Sequence, residues 1–344
     1  MPRFCIAAVQ DAPVAFDLEA SLSKLEALTV TAAEAARSQP DAANLALPVV
    51  VVFPEAFLSA YPRDHDFGAR IGSRTDEGRA WFRKYIESAV PVSDVEGPIM
   101  SRIRAAARNN NVVLVVGVVE RCDGPVSGPE RGTYGSSNKG GFGTLYCTSL
   151  TISNTGELLS VHRKLMPTAS ERLVWGQGDG ADIRVVDTIV GRVGGCICWE
   201  NYMPMQRMAL YSMGVEVYVA PTADSRESWT STMRHIASEG RCFVVGCNQY
   251  AERQDYPGEY PGLHGMNSTD VVTLGGSVIV GPLGNVLAGP LFGERGILCA
   301  VVDKDRIHEA KMDFDPVGHY ARPDVFKLVV DTKSKPVADL TQGV

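Results

Sequence analysis

Continuous apolar runs separated by helical patterns constrain the fold of this chain more than any other feature. Most runs lack polar alternation, which is typical of strands that are covered on both faces or lie inside a sandwich. The strand-like runs span residues 4–10, 47–53, 112–120, 144–153, 193–198, 215–220, 242–249, 276–281 and 297–303. The segments with helical signals span residues 18–37, 79–90, 99–108, 204–214 and 224–240. Asp224 and Glu227 form a capping-box pattern at the start of the last helix. This interleaved order predicts an α/β layered fold with a mixed sheet.

Turn signals and loop composition divide these runs but show no domain boundary. Hairpins are predicted at residues 154–157, 190–191 and 282–285. Residues 122–143 and 251–272 are rich in turn-forming residues and are predicted to be long loops. Because no linker divides the chain, residues 1–322 are predicted to form one domain and residues 323–344 a C-terminal tail.

The composition excludes several broad classes of function. The 344 residues are 45% hydrophobic, enough for a large core, and carry a net charge of −7. No basic run offsets this acidity, so nucleic-acid binding is not predicted. The N-terminal segment lacks signal-peptide character and no apolar run has the length of a membrane span, so a cytoplasmic protein is expected. The eight cysteines lie mostly in apolar runs, which predicts free thiols in a reducing compartment.

Two charged residues directly follow predicted buried strands. Glu55 follows the run 47–53 and Pro54, where poor hydration would raise the pKa of its carboxyl group toward the range of a general base. Lys164 follows the strand that leaves the first hairpin, where its ammonium group could stabilise negative charge on a substrate. Taken singly, each pattern is better explained by an ordinary charge at a strand end, paired or solvated.

Cys198 is the candidate nucleophile because it ends a strand and precedes a predicted turn and helix. This placement exposes a side chain and leaves backbone N–H groups nearby to bind an oxyanion. Cys196 should point in the same direction from the strand but lies deeper in the apolar run, so it is expected to be structural. The alternative for Cys198 is also a buried core thiol, the commonest state of a free cysteine.

The sequence gives weaker support for a zinc site, a Cys–His catalytic pair or a nucleotide-binding loop. A zinc site at Cys196 and Cys198 lacks a second ligand pair at zinc-finger spacing, and no histidine cluster accompanies it. A Cys–His pair with His162 or His235 stays open, although neither histidine has a protease-like context. The Gly-rich segment 132–143 matches no nucleotide-binding loop. No metal or organic cofactor is therefore predicted.

Three motifs together resemble those of the nitrilase superfamily of carbon–nitrogen hydrolases. The segments FPEAF, HRKLMPT and GGCICWENYMP are similar to its glutamate, lysine and cysteine motifs and occur in the same order. By this resemblance Glu55 is the general base, Lys164 stabilises the oxyanion and Cys198 is the nucleophile. Glu171 corresponds to a second family glutamate, which positions the lysine or a water molecule. The sequences CWEN, ERLVWGQGDG and APTADSRESW resemble the branch of true nitrilases.

The resemblance implies a fold, a substrate class and an assembly. The fold is an αββα sandwich with two mixed sheets, and the reaction converts an organic nitrile to a carboxylic acid and ammonia. A homodimer is the expected building block, which nitrilases often extend into spirals or helical filaments. The candidates for the wall of the substrate pocket, which lie beside the motifs, are Tyr61, Thr168, Trp175, Trp199, Pro221 and Thr222. Their aromatic character favours aromatic or arylaliphatic nitriles, although core packing explains Trp175 equally well.

Three other activities are compatible with the same motifs. An aliphatic amidase or carbamoylase would use the same Glu–Lys–Cys triad on a different carbon–nitrogen bond. A cyanide hydratase or dihydratase shares the nitrilase motifs. A scaffold protein on this fold would be expected to lack a member of the triad, and all three residues are present.

Overall fold

The computed structural model describes residues 3–42, 45–123 and 143–334 of the 344-residue chain. Its strands are β1 (Arg3–Gln10), β2 (Val49–Val52), β3 (Val113–Cys122), β4 (Thr144–Ile152), β5 (Leu158–Arg163), β6 (Val186–Thr188), β7 (Gly191–Gly195), β8 (Val217–Thr222), β9 (Phe243–Asn248), β10 (Tyr250–Glu252), β11 (Val271–Val280), β12 (Val286–Phe292) and β13 (Gly296–Asp303). Its α-helices are α1 (Leu18–Arg37), α2 (Asp76–Glu87), α3 (Pro98–Asn110), α4 (Pro204–Ser212), α5 (Glu227–Gly240) and α6 (Asp305–Asp313). The predicted loop at 122–143 lies almost entirely outside the described residues, as does the end of the predicted tail.

Two mixed sheets form the centre of the molecule. The first sheet has the strand order β13-β1-β2-β3-β4-β5, and the second has the order β10-β11-β9-β8-β7-β6 with β12 beside β11. Strands β1, β2 and β3 run parallel, as do β7, β8 and β9. The antiparallel pairs β4–β5, β6–β7 and β11–β12 are the three predicted hairpins, which are confirmed.

Strand β2 shows why the apolar runs lack polar alternation. Val49 and Val51 belong to the core cluster that the first sheet forms with α1 and α3. Val50 and Val52 point the opposite way, into the cluster between the two sheets. Burying each valine contributes about 1.5–3 kcal/mol, so an inner strand gains from apolar residues on both faces. A further cluster packs α4 and α5 on the second sheet, which completes the αββα layers and confirms the predicted fold class.

The start of α5 differs from the prediction. The capping box expected at Asp224 and Glu227 is wrong, because α5 begins at Glu227 with Arg226 at the N-cap and no side-chain cap. The Asp224 carboxylate is engaged elsewhere: it accepts hydrogen bonds from the backbone N–H of Arg226 at 3.0 Å and from the indole of Trp199 at 2.9 Å. None of the described helices is both long and apolar enough to cross a bilayer.

The segment 251–272 is more ordered than the predicted long loop. It contains the end of β10, two 3₁₀ turns at Arg253–Asp255 and Pro261–Leu263, and the start of β11. Tyr256 and Tyr260 stack with ring centroids 5.1 Å apart and are buried in a core cluster. Their burial explains why a segment rich in turn residues packs against the body of the protein.

Candidate active site

The ends of three strands bring Glu55, Lys164 and Cys198 into one buried cluster. Glu55 follows β2, Lys164 follows β5, and Cys198 lies just beyond β7 in the second sheet. The Lys164 Nζ atom is 2.7 Å from Glu55 Oε1, and both side chains are fully buried. The charges of Glu55 and Lys164 both act on the pKa of the Cys198 thiol, so the three groups share one electrostatic environment.

Lys164 is held as an ammonium group by two carboxylates. Burial by itself would lower its pKa, but Glu55, with Glu171 and the neighbouring thiols, raises that pKa well above the ordinary value. Burial raises the pKa of Glu55, and the charge of Lys164 opposes that rise. A carboxylate with a raised pKa beside a fixed cation is suited to accept a proton near neutral pH.

Glu171 is fixed by donors from three directions. Its Oε2 atom accepts hydrogen bonds from Lys164 Nζ at 2.8 Å and from the backbone N–H of Thr168 at 2.6 Å. Its Oε1 atom accepts the hydroxyl hydrogen of Tyr61 at 2.6 Å. The carboxylate therefore orients the lysine, while Tyr61 and the loop that follows β5 set its own position.

Cys198 lies in a strained turn with its sulfur buried. Its φ is +51°, a left-handed conformation that costs a residue with a side chain about 1–3 kcal/mol. The strain is held by Asn201, whose Nδ2 donates to the carbonyl oxygens of Cys198 at 2.7 Å and of Cys196 at 3.0 Å. Such a turn aims the side chain away from the direction of the preceding strand.

The protonation of Cys198 depends on its neighbours. Burial, followed by the charge of Glu55, raises the pKa of the thiol to about 12, while Lys164 opposes this rise. The Thr222 hydroxyl donates to Sγ at 3.2 Å, and the backbone N–H of Ala223 also favours the thiolate. The thiol is thus protonated at neutral pH in this structure and needs a base as it reacts. Among the described residues, Glu55 Oε2 is a buried acceptor without a hydrogen-bond partner.

Cys196 points to a different part of the core, contrary to the expected shared direction. Strand β7 ends at Gly195, so strand alternation does not extend to either cysteine. Cys196 packs in the cluster of α4, α5 and the second sheet, whereas Cys198 packs in the cluster that contains Trp175. The positive φ of Cys198 accounts for the divergence.

The other predicted pocket residues separate into two groups. Tyr61 and Trp175 line a cavity of about 680 Å³ next to Glu171, with ring centroids 5.7 Å apart. Polar and charged residues, among them Arg63 and Asp66, line much of the rest of this cavity, so its rim is mixed and not purely aromatic.

Thr168, Trp199, Pro221 and Thr222 lie outside the residues that line this cavity. Thr222 touches the sulfur of Cys198, and Thr168 binds Glu171 through its backbone. Trp199 is 42% exposed. Pro221 lines a separate small cavity of about 20 Å³ beside His162 and Cys196.

The histidines considered as partners for Cys198 are engaged elsewhere. His162 is buried and its Nε2 lies 3.0 Å from Glu200 Oε2. His235 is largely exposed, 3.6 Å from Glu239. Within residues 3–42, 45–123 and 143–334, no group of three or more His, Cys, Asp or Glu side chains is arranged to hold a metal ion.

Sequence reasoning missed several residues at this site. Cys147, on β4, donates its thiol hydrogen to Glu55 Oε1 at 3.4 Å. Ala223 contributes only a backbone N–H, so its identity carries no signal. Glu200, two residues after the candidate nucleophile, is a charge in an apolar context, which could have marked it as a buried functional carboxylate.

Comparison with known proteins places the chain in a family. The family model described as carbon-nitrogen hydrolase matches residues 5–312. An aliphatic nitrilase of Sinorhizobium fredii is 46% identical over 336 residues, covering 97% of this chain and 98% of the relative. A bifunctional nitrilase/nitrile hydratase of Nicotiana tabacum is 45% identical over 326 residues, covering 94% and 84%. The solved structure of a carbon-nitrogen hydrolase from Helicobacter pylori has the same fold, with a TM-score of 0.64 at 19% identity over 94% of this chain and 97% of that one. The chain belongs to the carbon-nitrogen hydrolase family.

Proposed function

We propose that this enzyme hydrolyses an organic nitrile to a carboxylic acid and ammonia, with Cys198 as the nucleophile. The observation that carries the proposal is the buried cluster of a thiol, an ammonium group and a carboxylate with one free acceptor oxygen. The relatives named as nitrilases, at about the same identity over most of the chain, support the choice of a nitrile.

The first half of the reaction forms a bond between sulfur and carbon. Glu55 accepts the thiol proton of Cys198 as Sγ attacks the nitrile carbon, and the proton passes to the nitrile nitrogen to give a thioimidate. Lys164 and the backbone N–H groups near Trp199 stabilise the negative charge that develops. The Thr222 hydroxyl and the Ala223 N–H stabilise the thiolate until the carbon–sulfur bond is formed.

The second half consumes two water molecules. Glu55 takes a proton from the first water as it adds to the thioimidate carbon and passes that proton to the nitrogen. The new hydroxyl group then gives its proton to the nitrogen by way of Glu55, and the carbon–nitrogen bond breaks to release ammonia and leave a thioester. A second water cleaves the resulting thioester, which returns the thiol to Cys198 and releases the acid. If the tetrahedral intermediate expels sulfur before nitrogen, an amide is released instead, and the relative named as bifunctional makes this product worth measuring.

Tyr61 and Trp175 at the cavity wall favour a nitrile that carries an aromatic or arylaliphatic group. The relative named as an aliphatic nitrilase supports a competing preference, for straight-chain aliphatic nitriles. A matched panel of phenylacetonitrile, benzonitrile and straight-chain nitriles separates the two, because only the aromatic preference gives higher kcat/KM for the first two. Higher kcat/KM for the straight-chain nitriles would reject the aromatic preference.

The decisive experiment pairs Cys198→Ala with Cys196→Ala, two buried thiols two residues apart. We expect Cys198→Ala to lose nitrile turnover while its thermal unfolding is nearly unchanged, and Cys196→Ala to keep turnover. Ammonia, acid and amide are quantified for each protein. Turnover by Cys198→Ala would reject the nucleophile, and ammonia release from amides but not nitriles would favour an amidase or carbamoylase.

We further propose that residues 1–322 act as one catalytic domain and that the chain assembles as homodimers. Multi-angle light scattering of the purified protein tests the assembly, and a monomer at micromolar concentration would reject it. The free thiols among the described residues suit a reducing, cytoplasmic environment.

A further inference from the structure

A single buried carboxylate connects the loops that carry Lys164 and Cys198. Glu200 lies in the 3₁₀ turn Cys198–Tyr202 and is 1% exposed. Its Oε1 accepts the backbone N–H of Leu165 at 2.7 Å, and its Oε2 accepts the backbone N–H of Ile197 at 2.7 Å. The first N–H belongs to the peptide bond that directly follows Lys164, and the second belongs to the residue that precedes Cys198.

Two side chains complete the coordination of this carboxylate. Gln206 donates from Nε2 to Oε1 at 3.1 Å, and His162 is 3.0 Å from Oε2 through its Nε2. The other ring nitrogen of His162 is 3.0 Å from the carbonyl oxygen of Asp182, which orients the imidazole. Burial lowers the pKa of His162, but contact with Glu200 raises that pKa to about 9, so both ring nitrogens carry hydrogens at neutral pH, Nδ1 donating to the Asp182 carbonyl and Nε2 to Glu200. With the imidazole protonated, each oxygen of the ionised Glu200 carboxylate accepts from two donors.

The position of Glu200 between the sheets gives this contact its importance. Lys164 follows β5 of the first sheet, and Cys198 follows β7 of the second. These strands lie in different sheets, so their ladder hydrogen bonds do not set the distance between the two side chains. The Glu200 carboxylate binds both main chains and so links the two loops directly.

We infer that Glu200, oriented by His162, is a positioning residue that holds the Lys164 ammonium and the Cys198 thiol in reactive alignment. It acts through the peptide groups of Leu165 and Ile197 and not through contact with the reacting atoms. The turnover readout of this inference rests on the proposed nitrilase function, whereas its effect on the reactivity of the thiol does not.

The substitution Glu200→Gln tests the inference because it preserves shape but replaces one acceptor oxygen with a donor group. In either amide orientation, one of the two backbone N–H groups loses its acceptor and faces another donor. A displacement of about 1 Å at reacting groups costs about 100-fold in rate. We therefore expect kcat for nitrile hydrolysis to fall about 10- to 100-fold with little change in KM. Alkylation of Cys198 by iodoacetamide should slow in the same variant.

Glu216→Gln is the matched control. The Glu216 carboxylate also accepts a backbone N–H, that of Arg192 at 2.7 Å, and a cation, Lys304 at 3.3 Å, but it lies outside the catalytic cluster. Its substitution should leave kcat and the alkylation rate unchanged. Rates are expressed per reactive thiol, so that partial unfolding does not count as lost positioning.

A second variant covers failure of Glu200→Gln to fold. Gln206→Leu removes one donor to Glu200 but leaves both backbone contacts, and the Gln206 Oε1 atom has no partner among the described residues. We expect a smaller decrease in both kcat and the alkylation rate.

Wild-type values in a folded Glu200→Gln, or in Gln206→Leu if the first variant does not fold, would overturn the inference. A lower Tm of Glu200→Gln with an unchanged kcat per reactive thiol would also overturn the inference, because Glu200 would then contribute only to stability. If the wild-type enzyme acts on amides and not on nitriles, the proposed function fails, and the alkylation rates still decide the role of Glu200.

Discussion

The hydroxyl of Thr222 should control the reactivity of Cys198. It donates to Sγ at 3.2 Å, and its oxygen accepts the backbone N–H of Asp224 at 3.0 Å. Because the Asp224 N–H occupies the oxygen, the hydroxyl hydrogen is directed toward the sulfur. Thr222→Val removes this donor with almost no change in side-chain shape.

The magnitude follows from the charge on the sulfur. A hydrogen bond to an ionised group contributes about 1.5–3 kcal/mol, and each 1.4 kcal/mol is tenfold in rate. Thr222→Val should therefore slow alkylation of Cys198 by about 10- to 100-fold. The same change leaves the Asp224 N–H without its acceptor, which should cost about 1–3 kcal/mol in the free energy of unfolding.

Thr222→Ser separates the two effects because it keeps the hydroxyl and removes only a methyl group. Second-order rates of iodoacetamide inactivation are measured for the three proteins, with the labelled residue identified by mass spectrometry. Thr222→Ser should stay close to wild type. Alkylation of Thr222→Val at the wild-type rate, or of Thr222→Ser as slowly as Thr222→Val, would show that the hydroxyl does not stabilise the thiolate.

Two further predictions concern the buried carboxylates. Glu55→Gln should lower kcat about 100- to 10,000-fold because it removes the proposed general base, while the amide oxygen can still accept from Lys164 and preserve the fold. Steady-state kinetics and thermal unfolding of the variant check this prediction. A kcat near that of the wild type would exclude Glu55 as the base. Burial by itself lowers the pKa of His162, but contact with Glu200 raises that pKa to about 9 from 6.5. Since the folded pKa is the higher one, this pair stabilises the protein fully below pH 6.5, and up to about 3 kcal/mol is lost as pH rises through 9. Urea unfolding at pH 6 and pH 9.5 should show this loss of unfolding free energy in the wild type and a smaller loss in His162→Gln. An equal loss in the two proteins would contradict the prediction.

The layered fold could be predicted because its determinants are local. Inner strands such as β2 are apolar on both faces since helices cover one side and the second sheet covers the other. The hairpins follow from turn residues that lie next to each other in the chain. The candidate residues Glu55, Lys164 and Cys198 stand in motifs whose order identifies the family, so the sequence was sufficient to select them.

Contacts across the two sheets could not be predicted. Cys196 and Cys198 diverge because one residue adopts a positive φ, which strand periodicity does not encode. The cross-sheet contact of Glu200 with Leu165 joins residues 35 positions apart. The neighbours on β8, Pro221 and Thr222, line different parts of the molecule because side chains alternate along a strand.

By itself, the amino-acid sequence determined the layers, the family and the candidate reactive groups, because apolar periodicity and contiguous motifs are properties of short segments. Only the tertiary structure decided how those groups are held. Hydrogen bonds such as those of Glu200 and Thr222 depend on where distant segments meet, and that meeting point is set by the packing of the whole core.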